Sequence, residues 1–331
     1  MTQQRIQQIL DGFAGKRITV IGDVMLDRYV AGRVERLNPE APVPVLHAQK
    51  QTDMTGGAGN VAKNIASLGG DATLIAVVGK DEAAEEIQAA AVKEGYTAQF
   101  VVDPARPTTR KIRYIVGAQQ LLRVDWEETP DVDGGTEAAL LAKAEAELAA
   151  GAEAIAVSDY AKGAITQQVA TGLMKLANQH KLPLAADVKP SRVEYFKGST
   201  FISPNIKEAH EYLGLNHLQQ GGRDISALAE QLYETFQSDV FLTMSAGGVY
   251  VHTGDGIHQQ VPQEHTVAVA DTSGAGDTSL AAMLLARLAG ANPVEMAEIA
   301  NAAGAVVVSK IGAVGVQLPE VRDMLLHKHE D

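Results

Sequence analysis

Short apolar runs alternate with alanine-rich amphipathic stretches along most of this chain, and that alternation limits the possible folds more than any other feature. The apolar runs predict strands over 17–22, 72–79, 154–158, 183–187 and 240–244. The amphipathic stretches predict helices over 58–68, 81–94, 136–150, 166–180 and 226–236. Because strands that alternate with helices form βαβ units, we expect an α/β fold with a doubly wound, mainly parallel sheet flanked by helices.

Two segments, 28–49 and 99–127, interrupt this pattern. Both contain β-branched and aromatic residues in short alternations without a helical period. We expect them to leave the sheet after its first and third strands and to form a small β lid over the carboxyl ends of the strands, where such sheets bind ligands. The main α/β domain is then discontinuous and comprises 1–27, 50–98 and 128–331.

The composition excludes several classes of protein. A chain of 331 residues without cysteine has no disulfide scaffold, thiolate metal site or cysteine nucleophile. Its net charge of −13 argues against a nucleic-acid-binding face, which needs clustered positive charge. No apolar run approaches the ~20 residues of a membrane span, and the first residues lack the apolar core of a signal peptide. We therefore expect a cytoplasmic protein that binds neither nucleic acid nor membrane.

The segment VADTSGAGDTSL, residues 269–280, carries the strongest chemical signal. We predict that a strand here gives way to a turn that opens a helix. The backbone N–H groups of Gly274, Ala275 and Gly276 would then form an anion hole at the positive end of the helix dipole. For Asp277 the residues alone leave two interpretations open: it takes the proton from an attacking hydroxyl, or it only complements the helix dipole.

A second glycine-containing segment, TGGAGNVAKNIASLGG at 55–70, precedes a predicted helix. Gly56 and Gly57 would allow a sugar to lie against bare backbone, and Asn60 could exchange hydrogen bonds with its hydroxyls. The same residues fit the dinucleotide-binding pattern G-x-G-x-x-A, with Asp81 downstream for a ribose. That pattern should follow a strand directly, whereas we expect the polar run 49–54 to intervene.

The string DTSGAGDT at 271–278 resembles the C-terminal signature of the ribokinase-like (PfkB) carbohydrate kinases, and the similarity extends from about residue 17 to 320. In that family the last Asp of the signature is the catalytic base and the three preceding residues form the anion hole. The resemblance therefore implies these roles for Asp277 and for residues 274–276. It also implies ATP and Mg²⁺ as cofactors.

The resemblance also covers residues that, by residue type alone, could have ordinary structural roles. Asp23 and Asp27 could be ordinary turn acids, but they match acids that contact sugar in the family, as the Gly56-Gly57 pair matches its substrate-binding hinge. Asn205 and Glu208 form a helix capping box, and they also match an N-x-x-E motif whose Glu organises Mg²⁺. Lys189 could neutralise a phosphate or be a surface lysine. The implied nucleotide-binding residues are Thr243, Gly247, Gly248 and Asn301.

Residues 104–124 carry positive charge and no acid in an otherwise acidic chain. Because arginine binds phosphate bidentately, we expect Arg110, Arg113 and Arg123 to bind a phosphate already on the sugar, the alternative being a solvated lid face. The strings at 38–45, 107–113 and 120–125 resemble the heptose 7-phosphate kinase branch of the family. Some members of that branch carry a second, adenylyltransferase domain; since this chain ends near residue 331, we expect the monofunctional form.

The resemblance to this branch implies ATP-dependent phosphorylation of the anomeric hydroxyl of D-glycero-D-manno-heptose 7-phosphate, a step of ADP-heptose and lipopolysaccharide-core synthesis. The resemblance further implies a homodimer formed through the β lids and a monovalent cation, K⁺, near Asp271 and Ser273. Three alternatives stay open: a related kinase of another sugar or sugar phosphate, an NAD-dependent oxidoreductase that uses the glycines at 57–62, and a non-catalytic sensor of sugar phosphates.

Overall fold

In the computed structural model, the described residues are 1–117, 119–215, 224–265, 267–310, 312 and 314–327. Their helices are α1 (Gln3–Asp11), α2 (Ala58–Ser67), α3 (Glu82–Glu94), α4 (Gly134–Ala149), α5 (Gln167–His180), α6 (Ile206–Tyr212), α7 (Ile225–Phe236), α8 (Ala275–Leu288), α9 (Pro293–Val308) and α10 (Leu318–His327). Their strands are β1 (Arg17–Gly22), β2 (Val24–Leu37), β3 (Pro44–Gly57), β4 (Asp71–Val78), β5 (Thr97–Val102), β6 (Arg110–Val116), β7 (Gln119–Trp126), β8 (Ala154–Asp159), β9 (Leu184–Val188), β10 (Phe201–Ile202), β11 (Asp239–Thr243), β12 (Val249–His252) and β13 (His258–Val261).

The larger sheet has nine strands in the order β13-β12-β11-β10-β9-β8-β1-β4-β5. Strand β1 lies inside it and pairs in parallel with β4 and β8, whereas β12 and β13 are antiparallel. The predicted doubly wound, mainly parallel α/β fold is confirmed. Within the described residues, no helix is both long enough and apolar enough to cross a membrane.

The larger sheet has a hydrophobic core on each face, and β1 contributes side chains to both cores. Its side chains alternate: Ile18 and Val20 belong to the core formed with α1, α2, α3, α8, α9 and α10, while Ile21 belongs to the core formed with α4, α5, α6 and α7. All three side chains are buried, and burial of such a side chain stabilises a fold by about 1.5–3 kcal/mol.

The smaller sheet has four strands in the order β3-β2-β6-β7. Strands β2 and β3 form a long antiparallel hairpin, β6 pairs with β2 in parallel, and β7 closes the sheet antiparallel to β6. A single residue, Asp23, separates β1 from β2, and β3 runs directly into α2. The smaller sheet is therefore attached at the carboxyl end of β1.

The second excursion begins later than the sequence pattern suggested. The segment 99–127 was expected in the lid, but β5 extends to Val102 and pairs in parallel with β4 in the larger sheet. An edge strand covered on one face alternates in the same way as a lid strand, so the pattern could not distinguish the two. The division of the chain into a kinase domain and a lid at the stated boundaries stays a prediction.

Candidate active site

The turn that opens α8 lies at the carboxyl end of the larger sheet. Gly274 precedes the helix with φ at +80°, a backbone conformation that residues with side chains rarely adopt. The first N–H groups of a helix lack carbonyl partners within it, and that of Ala275 makes only a long hydrogen bond to Thr272 O, 3.4 Å. Residues 274–276 thus form a helix N-terminus, a kind of site at which proteins bind anions, and their role as an anion hole stays a prediction.

The prediction of a strand just before this turn is wrong. Residues 267–274 form no strand, and the backbone N–H groups of Ala270 and Asp271 instead donate to Val308 O at 2.8 and 3.2 Å. The segment lies along the end of α9 rather than at a sheet edge. Four consecutive apolar residues, 267–270, predicted a buried strand here, but Val269 is 64% exposed.

Asp277 lies in the first turn of α8 and is only 3% exposed. Its Oδ2 accepts a hydrogen bond from Asn60 Nδ2 at 2.9 Å, and the Tyr160 hydroxyl lies 3.2 Å from Oδ1 and 3.4 Å from Oδ2. Burial raises the pKa of Asp277 to about 6, although the two hydrogen bonds and the positive charges of Lys63 and Lys189 oppose the rise. A carboxylate with such a pKa is ionised at neutral pH and well suited to accept a proton.

Asn60 is held in place from its own helix. Its backbone carbonyl accepts from Asn64 Nδ2 at 2.8 Å, and Asn64 Oδ1 in turn accepts from the Val316 N–H at 3.1 Å. The structure therefore places the Asn60 amide nitrogen on Asp277. Its contact with sugar hydroxyls stays a prediction.

Asp23 has a role that the sequence did not suggest. Its carboxylate accepts backbone hydrogen bonds from Tyr160 and Lys162 at 2.9 Å each and from Ala164 at 3.3 Å. It thereby fixes the loop after β8, which carries Tyr160 to Asp277. A signal for it is the string DYAKG at 159–163, which directly follows the predicted strand 154–158 and so places polar side chains at the carboxyl end of the sheet.

A cavity of about 810 Å³ opens beside the α8 turn. Its lining includes Tyr160, Lys189, Asn205, Glu208, Thr243, Gly248, Ala275, Gly276 and Asn301. Val269, Ala300, Ala305 and Val308 add an apolar wall. Asn301 Nδ2 donates to the carbonyls of Val261 and Pro262 at 3.0 and 3.2 Å and so holds the segment after β13 against α9.

Gly247 lies outside the cavity lining formed by the described residues. Its carbonyl accepts a hydrogen bond from Gln260 Nε2 at 2.8 Å, which links the turn after β11 to β13. Of the four predicted nucleotide-binding residues, the structure thus brings Thr243, Gly248 and Asn301 together.

Glu208 serves two partners at once. Its Oε2 accepts from the Asn205 N–H at 3.2 Å while Asn205 Oδ1 accepts from the Glu208 N–H at 2.9 Å, which confirms the predicted capping box of α6. Its Oε1 binds Lys189 Nζ at 2.9 Å. Although burial opposes a charged lysine, Glu208 raises the pKa of Lys189. The cap and a charged role in the cavity are therefore compatible.

Asp23 and Asp27, the two acids predicted to contact the sugar, have different partners: Asp23 accepts backbone hydrogen bonds, whereas Asp27 binds an arginine. Asp27, on β2, forms an ion pair with Arg113 on β6. A Cβ on Gly56 would overlap the Asp27 carboxylate, which explains why the smallest residue stands there. Gly57 is the junction of β3 and α2, with φ at +59°.

The positive charge of the lid is neutralised by acids just outside the segment that carries it. Lys111 lies 3.4 Å from both Asp125 and Glu127, and Arg123 binds Asp125 at 2.9 Å. Asp125 follows directly after the acid-free segment 104–124. The antiparallel pairing of β6 with β7 places Asp125 beside Lys111. The expected surplus of positive charge is thus largely cancelled in the folded protein.

The three arginines expected to bind one phosphate are not all on one face. Arg110 and Arg113 are three positions apart on β6, so their side chains leave opposite faces of the sheet. Arg110 lies over the Trp126 ring at 5.4 Å, whereas Arg113 lies over the Tyr29 ring at 5.2 Å. Arg123 is in register with Arg113 and shares its face. A joint site is possible only for Arg113 and Arg123.

Asp271 ties two loops together. Its Oδ1 accepts from the Ser273 N–H at 2.9 Å and its Oδ2 from the Gly312 N–H at 3.0 Å. Burial alone would raise the pKa of Asp271, but these hydrogen bonds lower it overall. The carboxylate is therefore ionised at neutral pH, and a cation beside it stays a prediction.

Residues 16–320 match the sequence model of the pfkB family of carbohydrate kinases. The chain belongs to this family. Bifunctional protein HldE of Caulobacter vibrioides is 41% identical over 310 residues, which are 93% of this chain and 63% of that protein. The D-beta-D-heptose 7-phosphate kinase of Bordetella bronchiseptica is 37% identical over 312 residues, which are 93% of this chain and 96% of that protein. The chain thus spans less than two thirds of the bifunctional relative.

The solved structure of Escherichia coli phosphofructokinase-2 in complex with potassium superposes on this pfkB-family chain with a TM-score of 0.77. The match covers 95% of this chain and 99% of that one at 18% identity. At this identity the likeness shows a shared fold.

The structure also tests the dinucleotide-binding alternative, and one expectation about it was wrong. The residues 49–54 do not separate the glycines from a strand, because they belong to β3, whose polar positions face solvent. That strand is antiparallel in the smaller sheet, however, and not part of a parallel βαβ unit. Asp81 caps α3 by accepting from the Ala84 N–H at 3.1 Å and also accepts from the Thr108 N–H at 2.8 Å. The dinucleotide geometry is absent from this segment.

Proposed function

We propose that this pfkB-family protein transfers the γ-phosphoryl group of ATP to the anomeric hydroxyl of D-glycero-D-manno-heptose 7-phosphate, giving the 1,7-bisphosphate used for ADP-heptose and lipopolysaccharide-core synthesis. The observation that carries the kinase chemistry is Asp277, a buried carboxylate in the first turn of α8 beside a cavity of about 810 Å³. The Bordetella relative, which matches this chain over nearly its whole length, supports the choice of sugar phosphate.

The site residues divide this chemistry among them. Asp277 accepts the proton of the attacking hydroxyl, and the N–H groups at 274–276 stabilise the charge of the transferring phosphoryl group. The apolar wall of the cavity, built from Val269 and residues of α9, suits a flat nucleobase. Lys189 faces the phosphate end, where its charge offsets that of the nucleotide. Closure of the smaller sheet over the sugar would exclude water.

The carboxylates of the cavity suit Mg²⁺ bound together with phosphates. Burial, and next the charges of Glu208 and Asp277, raise the pKa of Asp187 to about 8, so this carboxyl lies where a cation would ionise it. Mg²⁺ keeps several waters and takes one or two carboxylates plus substrate phosphates. Within the described part of the chain, no cluster of three or more His, Cys, Asp or Glu could hold a metal alone. Asp187 and Glu208 would hold Mg²⁺, which supplies charge neutralisation for the phosphates.

Glu208→Gln separates the helix cap from the role of the charge. Glutamine preserves a capping box, so thermal unfolding should change little, but it removes the negative charge beside Lys189. We expect kcat/KM to fall about 10–100-fold, with more Mg²⁺ needed for half-maximal rate. ADP release measured across a Mg²⁺ series gives both values.

Glu295→Gln is the matched control, because Glu295 completes the other capping box, at the start of α9, and forms an ion pair with Arg5 away from the cavity. Its Mg²⁺ dependence should equal that of the unmodified protein. The same Mg²⁺ response in both variants would remove Glu208 from the metal site.

Arg113 and Arg123 are our candidates for the sugar phosphate. They are in register on neighbouring strands and face the same side of the smaller sheet. Each is paired with an acid, Asp27 and Asp125 respectively, so phosphate binding would replace one anion by another. A bidentate phosphate would satisfy both guanidinium groups.

The homodimer through the smaller sheets and the monovalent cation near Asp271 and Ser273 are further parts of this proposal. Strand β7 is an edge strand with exposed Leu121, Leu122 and Trp126. An apolar edge of this kind favours pairing with a second copy, since proteins usually cover or charge such edges.

A substrate panel tests the proposed function. ADP release would be followed with ATP and, in turn, heptose 7-phosphate, unphosphorylated heptose and fructose 6-phosphate. We expect kcat/KM for heptose 7-phosphate to exceed the others by about 10–100-fold or more, because unphosphorylated heptose cannot make the charged hydrogen bonds to the arginines and fructose 6-phosphate presents different hydroxyls. Equal or better use of another sugar would point to a related kinase of different specificity.

A further inference from the structure

We propose that Tyr160 is a positioning residue for the catalytic base, and that its hydroxyl holds the Asp277 carboxylate ready to accept the proton of the sugar. This inference rests on the proposed function, in which Asp277 is that base. Among the described residues, the Tyr160 hydroxyl is the side-chain donor to Oδ1, whereas Asn60 Nδ2 donates to Oδ2. The two donors come from different elements and together fix both ends of the carboxylate.

The Tyr160 side chain is itself fixed from two directions. Its backbone N–H and that of Lys162 donate to the same oxygen of Asp23, so the loop cannot shift without breaking both bonds. On the other side, Lys189 Nζ lies 5.2 Å from the centre of the Tyr160 ring, within the range of a cation–π contact. The hydroxyl is therefore presented to Asp277 by a preorganised loop rather than by a free side chain.

A hydroxyl in this position favours the ionised form of Asp277. Burial, and next the charges of Asp277 and Asp187, raise the pKa of Tyr160 well above its usual value, so it remains a donor throughout the working pH range. The other charged groups that face Asp277 are Lys63 from α2, Lys189 after β9 and Asp187 at the end of β9. Loss of one donor removes stabilisation from the carboxylate but not from the carboxylic acid, so the base would titrate at higher pH.

Tyr160→Phe tests this, because phenylalanine keeps the ring under Lys189 and removes only the hydroxyl. For the unmodified protein, kcat/KM should fall on the acid side around pH 6. In the variant we expect this acid limb to move up by about 0.5–1 pH unit, as loss of one hydrogen bond implies, with less than a tenfold loss at pH 8. Tyr233→Phe, on α7 outside the cavity lining, is the control and should leave the profile unchanged. An acid limb that stays in place, whatever the loss of rate, would overturn the proposal, because it would show that only packing was lost.

A second measurement needs no turnover and so separates this inference from the proposed function. Protein labelled with ¹³C in its aspartate carboxyl groups would be titrated without ligands, and Asp277→Asn would identify the resonance of Asp277. An upward shift of its titration midpoint in Tyr160→Phe supports the positioning role even if none of the sugars is phosphorylated, a result that would overturn the proposed function alone. Identical midpoints in the two proteins would overturn the positioning role alone.

Discussion

Asp277→Asn should lower kcat by about 10²–10⁴-fold, the usual contribution of a positioned general base, while the protein still folds and binds ATP. Asparagine has the shape of the carboxylate: its amide oxygen can accept from Asn60 while its amide nitrogen donates to the Tyr160 oxygen, but it cannot take a proton from the sugar hydroxyl. The rate would be measured by ADP release and ATP affinity by calorimetry. Glu145→Gln removes the same charge at an exposed position of α4 and should leave both the rate and the ATP affinity unchanged. Near-normal turnover in Asp277→Asn would remove it as the base.

The same variant should be at least as stable as the unmodified protein at pH 8. The pKa of Asp277 in the folded protein, about 6, lies above its ordinary value of 3.8, mainly because the carboxyl is buried. The folded state therefore favours the protonated group, and stability is lost as the pH rises from about 4 to about 6. Removing the charge should recover on the order of 1–3 kcal/mol of unfolding free energy at pH 8. A lower unfolding temperature would contradict this account of the buried charge.

Gly57→Ala should cost about 3 kcal/mol or more of unfolding free energy, since it combines backbone strain with a steric clash. Gly57 joins β3 to α2 with φ at +59° and ψ at −132°. A Cβ there would overlap the carbonyl oxygen of Asp23 and lie 2.9 Å from Met25 Cε. The backbone on both sides carries site residues, so activity should fall with stability. Urea unfolding gives the free energy.

Gly69→Ala separates strain from clash. Gly69 also has a positive φ, +98°, but nothing lies within 4 Å of where its Cβ would be. It should therefore show only the cost of the backbone conformation, about 1 kcal/mol. Equal losses in the two variants would mean that the close approach at Gly57 does not limit the fold.

Features that depend on a few consecutive residues could be predicted from the sequence. The bounds of β1 were predicted correctly because five of its six residues are buried and apolar side chains lie on both faces, as an inner strand of a parallel sheet requires. The turn at 274–276 and the capping box of α6 also depend on neighbouring residues alone.

Features that depend on distant residues could not. The positive charge of the lid was cancelled by acids brought across from β7 and β2, which a count along one segment cannot include. The contact between Tyr160 and Asp277 joins positions 117 residues apart. Likewise, the apolar run at 267–270 predicted a strand, whereas the backbone N–H groups of Ala270 and Asp271 donate to Val308 O at the end of α9, a partner known only after folding.

The most direct test of the central claim is to identify the product by ³¹P NMR after incubation with ATP, Mg²⁺ and D-glycero-D-manno-heptose 7-phosphate. The account predicts a new phosphate resonance coupled to the anomeric proton, in equal amount to the ADP formed, with the 7-phosphate retained and with product from Asp277→Asn appearing at least about 100-fold more slowly. Absence of a sugar bisphosphate, or a phosphoryl group on any hydroxyl other than O1, would contradict it.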